Sequence, residues 1–253
     1  MRGRLRLLGI CGSPRRGNSQ FLLEAAIKAA TENAQFEVDV SLGHLKPNSV
    51  APCDACGWHE RNNGECRIKD AFQNLRDRWL EADIVLYAFP VYHMGIPAQL
   101  KAFIDRLGSS LGAYFTSPEP RGYYLPRLLK AVGLITQGAH RFGGQDLALN
   151  YMLNHVVVMR CLPVPGEFPM SYVGAAGWTG GRLDKSGLAK LFSCGDEDAR
   201  AVVEAAKQIG RRSVQLSMIL RDGVRANQQM LSHDPGYEFF LEKAARRTSV
   251  PPA

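Results

Sequence analysis

Leu5 to Cys11 is an apolar run that breaks at Gly12-Ser13-Pro14, and Gly17-Asn18-Ser19-Gln20 then opens an amphipathic stretch. A buried strand feeding a helix through so short a turn is the first half of a βαβ unit. It commits the chain to a parallel sheet with helices laid over it. The same turn constrains chemistry. The first N–H groups of a helix have no internal partner and sit at the positive end of the helix dipole, so the turn is suited to an anion such as a phosphate.

The pattern repeats along the chain. Leu22, Ala25, Ala26 and Ala29 share one face of a helix expected over Asn18–Thr31, and Phe36–Val40 alternates as a short strand. His44 to Lys69 reads as a long irregular stretch with three cysteines, followed by a helix over Asp70–Leu80. Asp83–Phe89 is a second apolar strand, and it ends in Pro90-Val91-Tyr92-His93-Met94-Gly95. Pro97 suits the first turn of a helix whose face carries Leu100, Phe103, Ile104 and Leu107. Leu111 to Leu125 reads as an aromatic, proline-containing loop with exposed rings. Ala131–Thr136 is a third apolar strand, trailed by a glycine-rich loop through Gly144 and a helix from Gln145. Cys161–Val164 is the last expected strand. Val202, Ala206, Ile209, Ser213, Leu216 and Leu220 mark a long C-terminal helix.

Strands alternating with helices predict an α/β fold: a doubly wound, five-stranded parallel sheet with helices on both faces. The domain is expected over residues 1–222, with 223–253 as a C-terminal arm. Phe239 and Phe240 would otherwise be an exposed apolar patch, so the arm is expected to pack on the domain or on a partner subunit. Ligands of such folds bind at the C-terminal ends of the strands. The loops that start at residues 12, 90 and 137 all follow strands, which puts all three on one edge.

Composition narrows the partners. The 253 residues carry a net charge of +7, but the basic residues come in short scattered pairs such as Arg15-Arg16 and Arg211-Arg212. That distribution suits anionic small ligands better than a nucleic-acid face. No stretch approaches the roughly 20 apolar residues of a membrane span, and no segment reads as a secretory signal. The expected setting is cytoplasmic, where clustered cysteines point to metal or redox chemistry before disulfides.

The anion can be narrowed too. Gly12-x-x-x-x-Gly17-Asn18-Ser19 resembles a nucleotide P-loop, but Asn18 stands where a lysine would reach the outer phosphates. The strand at 83–89 ends in Phe89 rather than a magnesium-binding aspartate, and the dinucleotide pattern G-x-G-x-x-G is absent. What remains is one terminal phosphate held by Ser13, Asn18, Ser19 and nearby N–H groups, with Arg15 as charge partner. That suits a mononucleotide such as FMN.

Three segments then carry a family resemblance. Gly12-Ser13-Pro14-Arg15-Arg16-Gly17-Asn18-Ser19 resembles the phosphate loop of the NADPH-dependent FMN reductases and iron–sulfur flavoproteins. Phe89 to Arg106 resembles their second segment, and the Gly-rich 137–144 segment followed by Gln145 resembles their third. The resemblance spans roughly residues 5 to 165 and implies a flavodoxin-like fold, bound FMN, NADPH or NADH as donor, and a homodimer or homotetramer. It implies that Ser13, Arg15, Asn18, Ser19 and Gln20 surround the phosphate. Pro90, Val91, Tyr92, His93, Met94 and Gly95 would border the flavin ring, largely through backbone groups, with Thr136, Gln137, Gly138 and Gly143 in the third loop.

The flavin would carry the redox chemistry, with no side chain acting as a nucleophile. The electron acceptor would be a small molecule: a quinone, azo compound, metal ion, flavin or oxygen. Tyr92 or His93 would shape the acceptor pocket or donate a proton, or else serve only through their backbone. Tyr114, Phe115, Tyr123 and Tyr124 read either as a flavin lid or as packing. His140 and Arg141 read as NADPH contacts or as solvated charge.

Cys53-x-x-Cys56-x-x-His59-x6-Cys66 lies where the iron–sulfur flavoproteins carry four cysteines that bind a four-iron cluster. His59 in the third position weighs against an iron–sulfur cluster, although histidine ligates in some centres. Three cysteines and a histidine also suit tetrahedral zinc. The leading reading is a remnant loop that packs. A non-enzymatic FMN electron-transfer protein, with or without an iron–sulfur or zinc site at these residues, is the alternative function.

Overall fold

The computed structural model describes residues 4–32, 37–116, 125–166 and 172–246. In chain order its elements are β1 (Leu5–Cys11), α1 (Asn18–Glu32), β2 (Val38–His44), α2 (Trp58–Arg61), α3 (Phe72–Glu81), β3 (Ile84–Pro90), α4 (Ala98–Phe115), β4 (Ala131–Gly138) and α5 (Gln145–Val158). They continue with β5 (Leu162–Pro163), β6 (Ala175–Trp178), α6 (Gly187–Ser193), α7 (Glu197–Ala226), α8 (Gln228–Leu231), a 3-10 turn at Pro235–Tyr237 and α9 (Glu238–Arg246).

The sheet runs β2-β1-β3-β4-β5, all parallel, in the flavodoxin-like order. Its register is continuous: Gly9 stands opposite Leu86, and Leu86 opposite Gly133. Alternate side chains go to opposite faces, which divides the core in two. Leu8, Ile10, Val85, Tyr87 and Phe89 pack with residues of α3, α4 and α5, while Leu5, Leu7, Ile84, Leu86 and Ala88 pack with α1 and α7. α1 and α7 meet at Gly210, where an added Cβ would lie 2.0 Å from the Ala26 carbonyl oxygen. The three apolar strands and the helices after them stand where their periodicity puts them.

Four expectations need correction. The last strand pairs only at Leu162–Pro163, not over Cys161–Val164, and only with Ala131 and Val132. The rest of that edge of β4 is taken by β6, whose Ala175 and Trp178 stand opposite Ile135 and Gly138. Four residues with two alanines and a glycine carry too weak an alternation to be recognised as a strand. The helix α6 likewise falls below what periodicity detects at 7 residues. Leu111–Phe115 is the last turn of α4 rather than a loop, because Leu107 and Leu111 extend the buried face by one more step of four. β2 reaches His44, well past Val40, because its ladder with β1 continues to Cys11 opposite His44. Phe36, Tyr123 and Tyr124 lie outside the described residues.

The C-terminal residues contact their own chain. Lys243 Nζ donates to the Ala82 carbonyl at 2.7 Å, and Arg127 N–H donates to the Gly236 carbonyl at 2.9 Å. Phe239 meets Phe115 edge-on at 5.1 Å. That contact occupies Phe115 with packing against the arm. α7 runs unbroken from Glu197 to Ala226, across position 222.

Candidate functional site

The first site element is the turn after β1. Gly12 N–H donates back to the Ala88 carbonyl at 2.8 Å, which seats the turn between β1 and β3. α1 begins at Asn18, and its earliest backbone bond is Phe21 N–H to the Gly17 carbonyl, 2.9 Å. Helix geometry therefore leaves the N–H groups of Asn18, Ser19 and Gln20 without intrahelical partners. Ser13 and Ser19 are buried beside them, and the Ser13 hydroxyl accepts from Arg15 N–H at 3.3 Å. Gln20 turns away along the helix to Glu24, 2.7 Å.

His44, at the end of β2, joins this turn. Its Nε2 lies 2.9 Å from the Ser13 carbonyl, which makes Nε2 the protonated nitrogen, and its buried Nδ1 has no partner among the described residues. Burial pushes the imidazole below its ordinary value, against the Ser13 carbonyl, which favours the charged form.

The second element is the end of β3. Pro90 is the last strand residue, and Val91 N–H donates to the Gln137 carbonyl at 2.8 Å. Tyr92 and Gly95 then exchange two backbone hydrogen bonds, 2.9 and 3.0 Å, around His93 and Met94. Both central residues have positive φ, 47° and 65°, as in a type I′ turn. The Tyr92, His93 and Met94 side chains are exposed, so the turn presents a rigid backbone edge with a partly apolar rim.

The third element follows β4. Thr136 is fully buried and donates its hydroxyl to the Phe89 carbonyl at 3.0 Å, so it braces the sheet. Gln137 reaches across to α1, where its Nε2 donates to Ser19 Oγ at 3.3 Å. Gly138, Gly143 and Gly144 wrap around Gln145, whose Oε1 accepts from Gly143 N–H at 2.9 Å and whose Nε2 donates to the His140 carbonyl at 2.6 Å. Gly144 has φ 98°, and a Cβ there would fall 2.8 Å from Met94 Cα. Only glycine permits that approach of the second and third loops. Arg141 is committed elsewhere: it pairs with Asp198 and lies over the Trp178 ring at 4.9 Å.

The three segments therefore meet on one edge, joined by Ser19–Gln137, Val91–Gln137 and Met94–Gly144. Their chemistry fits a flavin mononucleotide: unpaired helix-start N–H groups and hydroxyls for a phosphate, and a bare backbone edge for a planar ring. A family model described as NADPH-dependent FMN reductase matches residues 5–174.

The chain belongs to the NADPH-dependent FMN reductase family.

As an FMN reductase it is an enzyme, an FMN-dependent NAD(P)H oxidoreductase. An iron–sulfur flavoprotein of Archaeoglobus fulgidus is 30% identical over 178 residues, covering 70% of this chain and 85% of its own. An FMN-dependent NADH:quinone oxidoreductase of Sinorhizobium fredii is 32% identical over 116 residues, covering 45% of this chain and 54% of its own. The solved structure of an FMN-dependent NADH-azoreductase from Bacillus anthracis in complex with FMN shares the fold. Its TM-score is 0.54 at 13% identity, covering 84% of this chain and 99% of that one.

The cysteine loop of this FMN reductase shares no cavity-lining residue with those three loops. Cys53, Cys56, His59 and Cys66 line one small cavity with Arg106, Ser109 and Ser110. Cys53 and Cys56 are exposed, while Cys66 is half-buried with its Sγ accepting from Arg106 Nη2 at 3.3 Å. Asp54 is tied to Arg67, whose hydrogen bond holds its carboxyl down at about 2. Among the described residues no three His, Cys, Asp or Glu side chains are grouped to hold a metal ion. Arg106 holds the Cys66 sulfur, and the Arg67–Asp54 pair ties together the stretch that carries Cys53 and Cys56.

Sequence reasoning missed three contributors. His44 falls past the expected end of its strand, and Gln145, though it closes the third resembling segment, is assigned no role within it. The segment from Thr179 to Leu188, which touches the phosphate turn, carries no motif at all. Only a longer β2 would have flagged the first, since strand ends on this edge are where ligands bind.

Proposed function

We propose that this FMN reductase passes electrons from NADPH or NADH through bound FMN to a small, planar, largely apolar acceptor, of the quinone or azo class. FMN, when bound, supplies the step that converts hydride donation by a nicotinamide into electron delivery to the acceptor. The chain's own residues bind and orient. The N–H groups of Asn18, Ser19 and Gln20 with the Ser13 and Ser19 hydroxyls would hold the phosphate. The backbone edge from Pro90 to Gly95 would fix the ring, because the paired Tyr92–Gly95 turn cannot shift without breaking two hydrogen bonds.

The observation that carries the reading is the joining of three loops by Ser19–Gln137 and Met94–Gly144, which sets phosphate turn and ring turn in one frame. The acceptor class rests on the rim: Tyr92, Met94 and Phe142 are exposed on the second and third loops, Phe142 at 93%. Exposed apolar side chains beside a ligand edge favour a flat apolar acceptor over an aqueous metal ion. A homodimer or homotetramer belongs to the same reading. Leu147, Tyr151 and Val158 are exposed along one side of α5 and offer an apolar face for a second copy. No described helix is long and apolar enough to cross a membrane.

The test is an anaerobic absorbance titration of purified protein loaded with FMN. Bleaching of the flavin band by NADPH or NADH, and its return on adding a quinone or azo dye, is the expected result. A protein that takes up no FMN overturns the reading. One that bleaches but is reoxidised by ferric chelates in preference to quinones overturns the acceptor class.

A further inference from the structure

The segment from Thr179 to Leu188 begins after residue 174, where the family match ends, yet it is bolted to the phosphate turn. Leu188 N–H donates to Asn18 Oδ1 at 3.0 Å, and Asn18 Nδ2 donates to the Asp184 carbonyl at 3.1 Å. Arg15 Nη2 donates to the Leu183 carbonyl at 2.7 Å. Gly17 lies so close that a Cβ there would sit 2.8 Å from the Lys185 carbonyl oxygen. The other end of the segment is tied to the third loop. Thr179 N–H donates to the Gly138 carbonyl at 2.9 Å and Gly181 N–H to the Ala139 carbonyl at 2.8 Å. Gly180 and Gly181, with φ 62° and 76°, turn the chain between the two attachments.

Asn18 is therefore tied to the segment at both ends of its amide. It is 7% exposed, and both its carbonyl and its amide nitrogen face the segment. One hydrogen of the amide nitrogen and the carbonyl oxygen are both committed to the segment, so the segment fixes the orientation of this side chain. We infer that Asn18 is a positioning residue that clamps Thr179–Leu188 as a strap across the phosphate turn, and that this strap sets FMN affinity by holding the turn's N–H groups in register. The inference rests on the FMN reading above. The strap contacts the turn through its backbone, so its own fold is what matters. Asp184 holds that fold: its Oδ1 accepts from Ser186 N–H and Ser186 Oγ, both at 2.9 Å.

Asp184 gives a test in which charge and bracing act in opposite directions. Removing a carboxylate near an anion site strengthens anion binding on electrostatic grounds alone. If the strap braces the turn, Asp184→Ala weakens FMN binding instead, while Asp184→Asn keeps the acceptor for Ser186 and binds as well as the unmodified protein or better. Asn18→Ala loses two hydrogen bonds to the strap, which corresponds to a loss of about tenfold in FMN affinity. Affinity is read by quenching of flavin fluorescence. Trypsin cleavage after Arg182 and Lys185 reports the strap directly, without flavin. The expected result is faster cleavage, by several-fold, in Asn18→Ala and Asp184→Ala but not in Asp184→Asn. Weak FMN binding by Asn18→Ala with unchanged cleavage, and tighter binding by Asp184→Ala, would make Asn18 a direct ligand and overturn the inference. Unmodified protein that binds no FMN overturns the cofactor reading beneath it, while equal cleavage in all four proteins overturns the clamp on its own.

Discussion

Gln137 Nε2 donates to Ser19 Oγ at 3.3 Å, across 118 residues of chain. Both side chains are buried, and the bond ties the start of α1 to the end of β4. It is the direct link between the segment that would hold a phosphate and the segment that backs the ring turn. Gln137→Ala removes it and leaves Ser19 Oγ without that donor. FMN affinity should fall by about 1 kcal/mol, roughly fivefold, and the apo protein should lose about 1–2 kcal/mol of stability, since a buried hydrogen bond is removed. Fluorescence titration checks the first and urea unfolding the second.

Gly144 shows how closely the loops must approach. At φ 98° with Met94 Cα 2.8 Å from any Cβ, Gly144→Ala strains its own backbone and pushes the ring turn outward. The expected cost is about 1–3 kcal/mol of stability, seen as a lower denaturant midpoint. The flavin absorption band should also lose its fine structure as the ring environment opens. An alanine variant with both quantities unchanged would mean that the two loops do not touch.

Arg106 stabilises the long stretch between β2 and α3. It is 2% exposed and donates to Asp70 at 2.6 Å, the Ala51 carbonyl at 3.1 Å and the Ile68 carbonyl at 2.9 Å, with its guanidinium over Phe72 at 4.3 Å. Arg106→Met leaves Asp70 without its partner. A loss of about 3–5 kcal/mol is expected, with faster hydrogen exchange over residues 51–70. Asp70→Asn together with Arg106→Met should recover part of that loss, because the charge left behind is removed.

His155 gives a pH dependence with a definite sign. Its ring stands edge-on to Tyr87 at 5.9 Å, and burial pushes its pKa to about 4 from an ordinary 6.5. The unfolded chain takes up a proton at His155 below 6.5, whereas the folded chain resists until about 4. The stabilisation is therefore complete above pH 6.5 and is lost as the pH falls toward 4, by at most about 3 kcal/mol. Urea unfolding at pH 7.5 and pH 4.5 measures it, and His155→Gln should show a smaller drop than the unmodified protein over the same interval.

Much of the edge that carries the site was legible in the residues themselves. Leu5–Cys11, Asp83–Phe89 and Ala131–Thr136 are apolar on nearly every position, so they could only be central parallel strands, and their loops had to emerge together. The Tyr92–Gly95 segment and the glycines of the third loop were legible for the same reason: short chemical motifs declare themselves where backbone geometry is demanding. The fifth strand position was not. It is shared by Leu162–Pro163 and Ala175–Trp178, two pieces too short for a period, and their pairing depends on an edge of β4 that exists only once the sheet has formed. Phe115 likewise reads as an exposed ring until α9 brings Phe239 against it.

Asn18 marks the boundary between the two kinds of information. Its position after Gly17, with no lysine, argues against a triphosphate loop and leads to the expectation of a single-phosphate turn, because that depends on residue type and local spacing alone. Where its amide points depends on Asp184 and Leu188, more than 160 residues away, and no local pattern encodes a contact made through another segment's backbone. By itself the sequence determined an α/β sheet with the loops after Cys11, Phe89 and Thr136 on one edge. Tertiary structure decided where the side chains on that edge point, because hydrogen bonds to distant backbone orient Asn18 and Thr136.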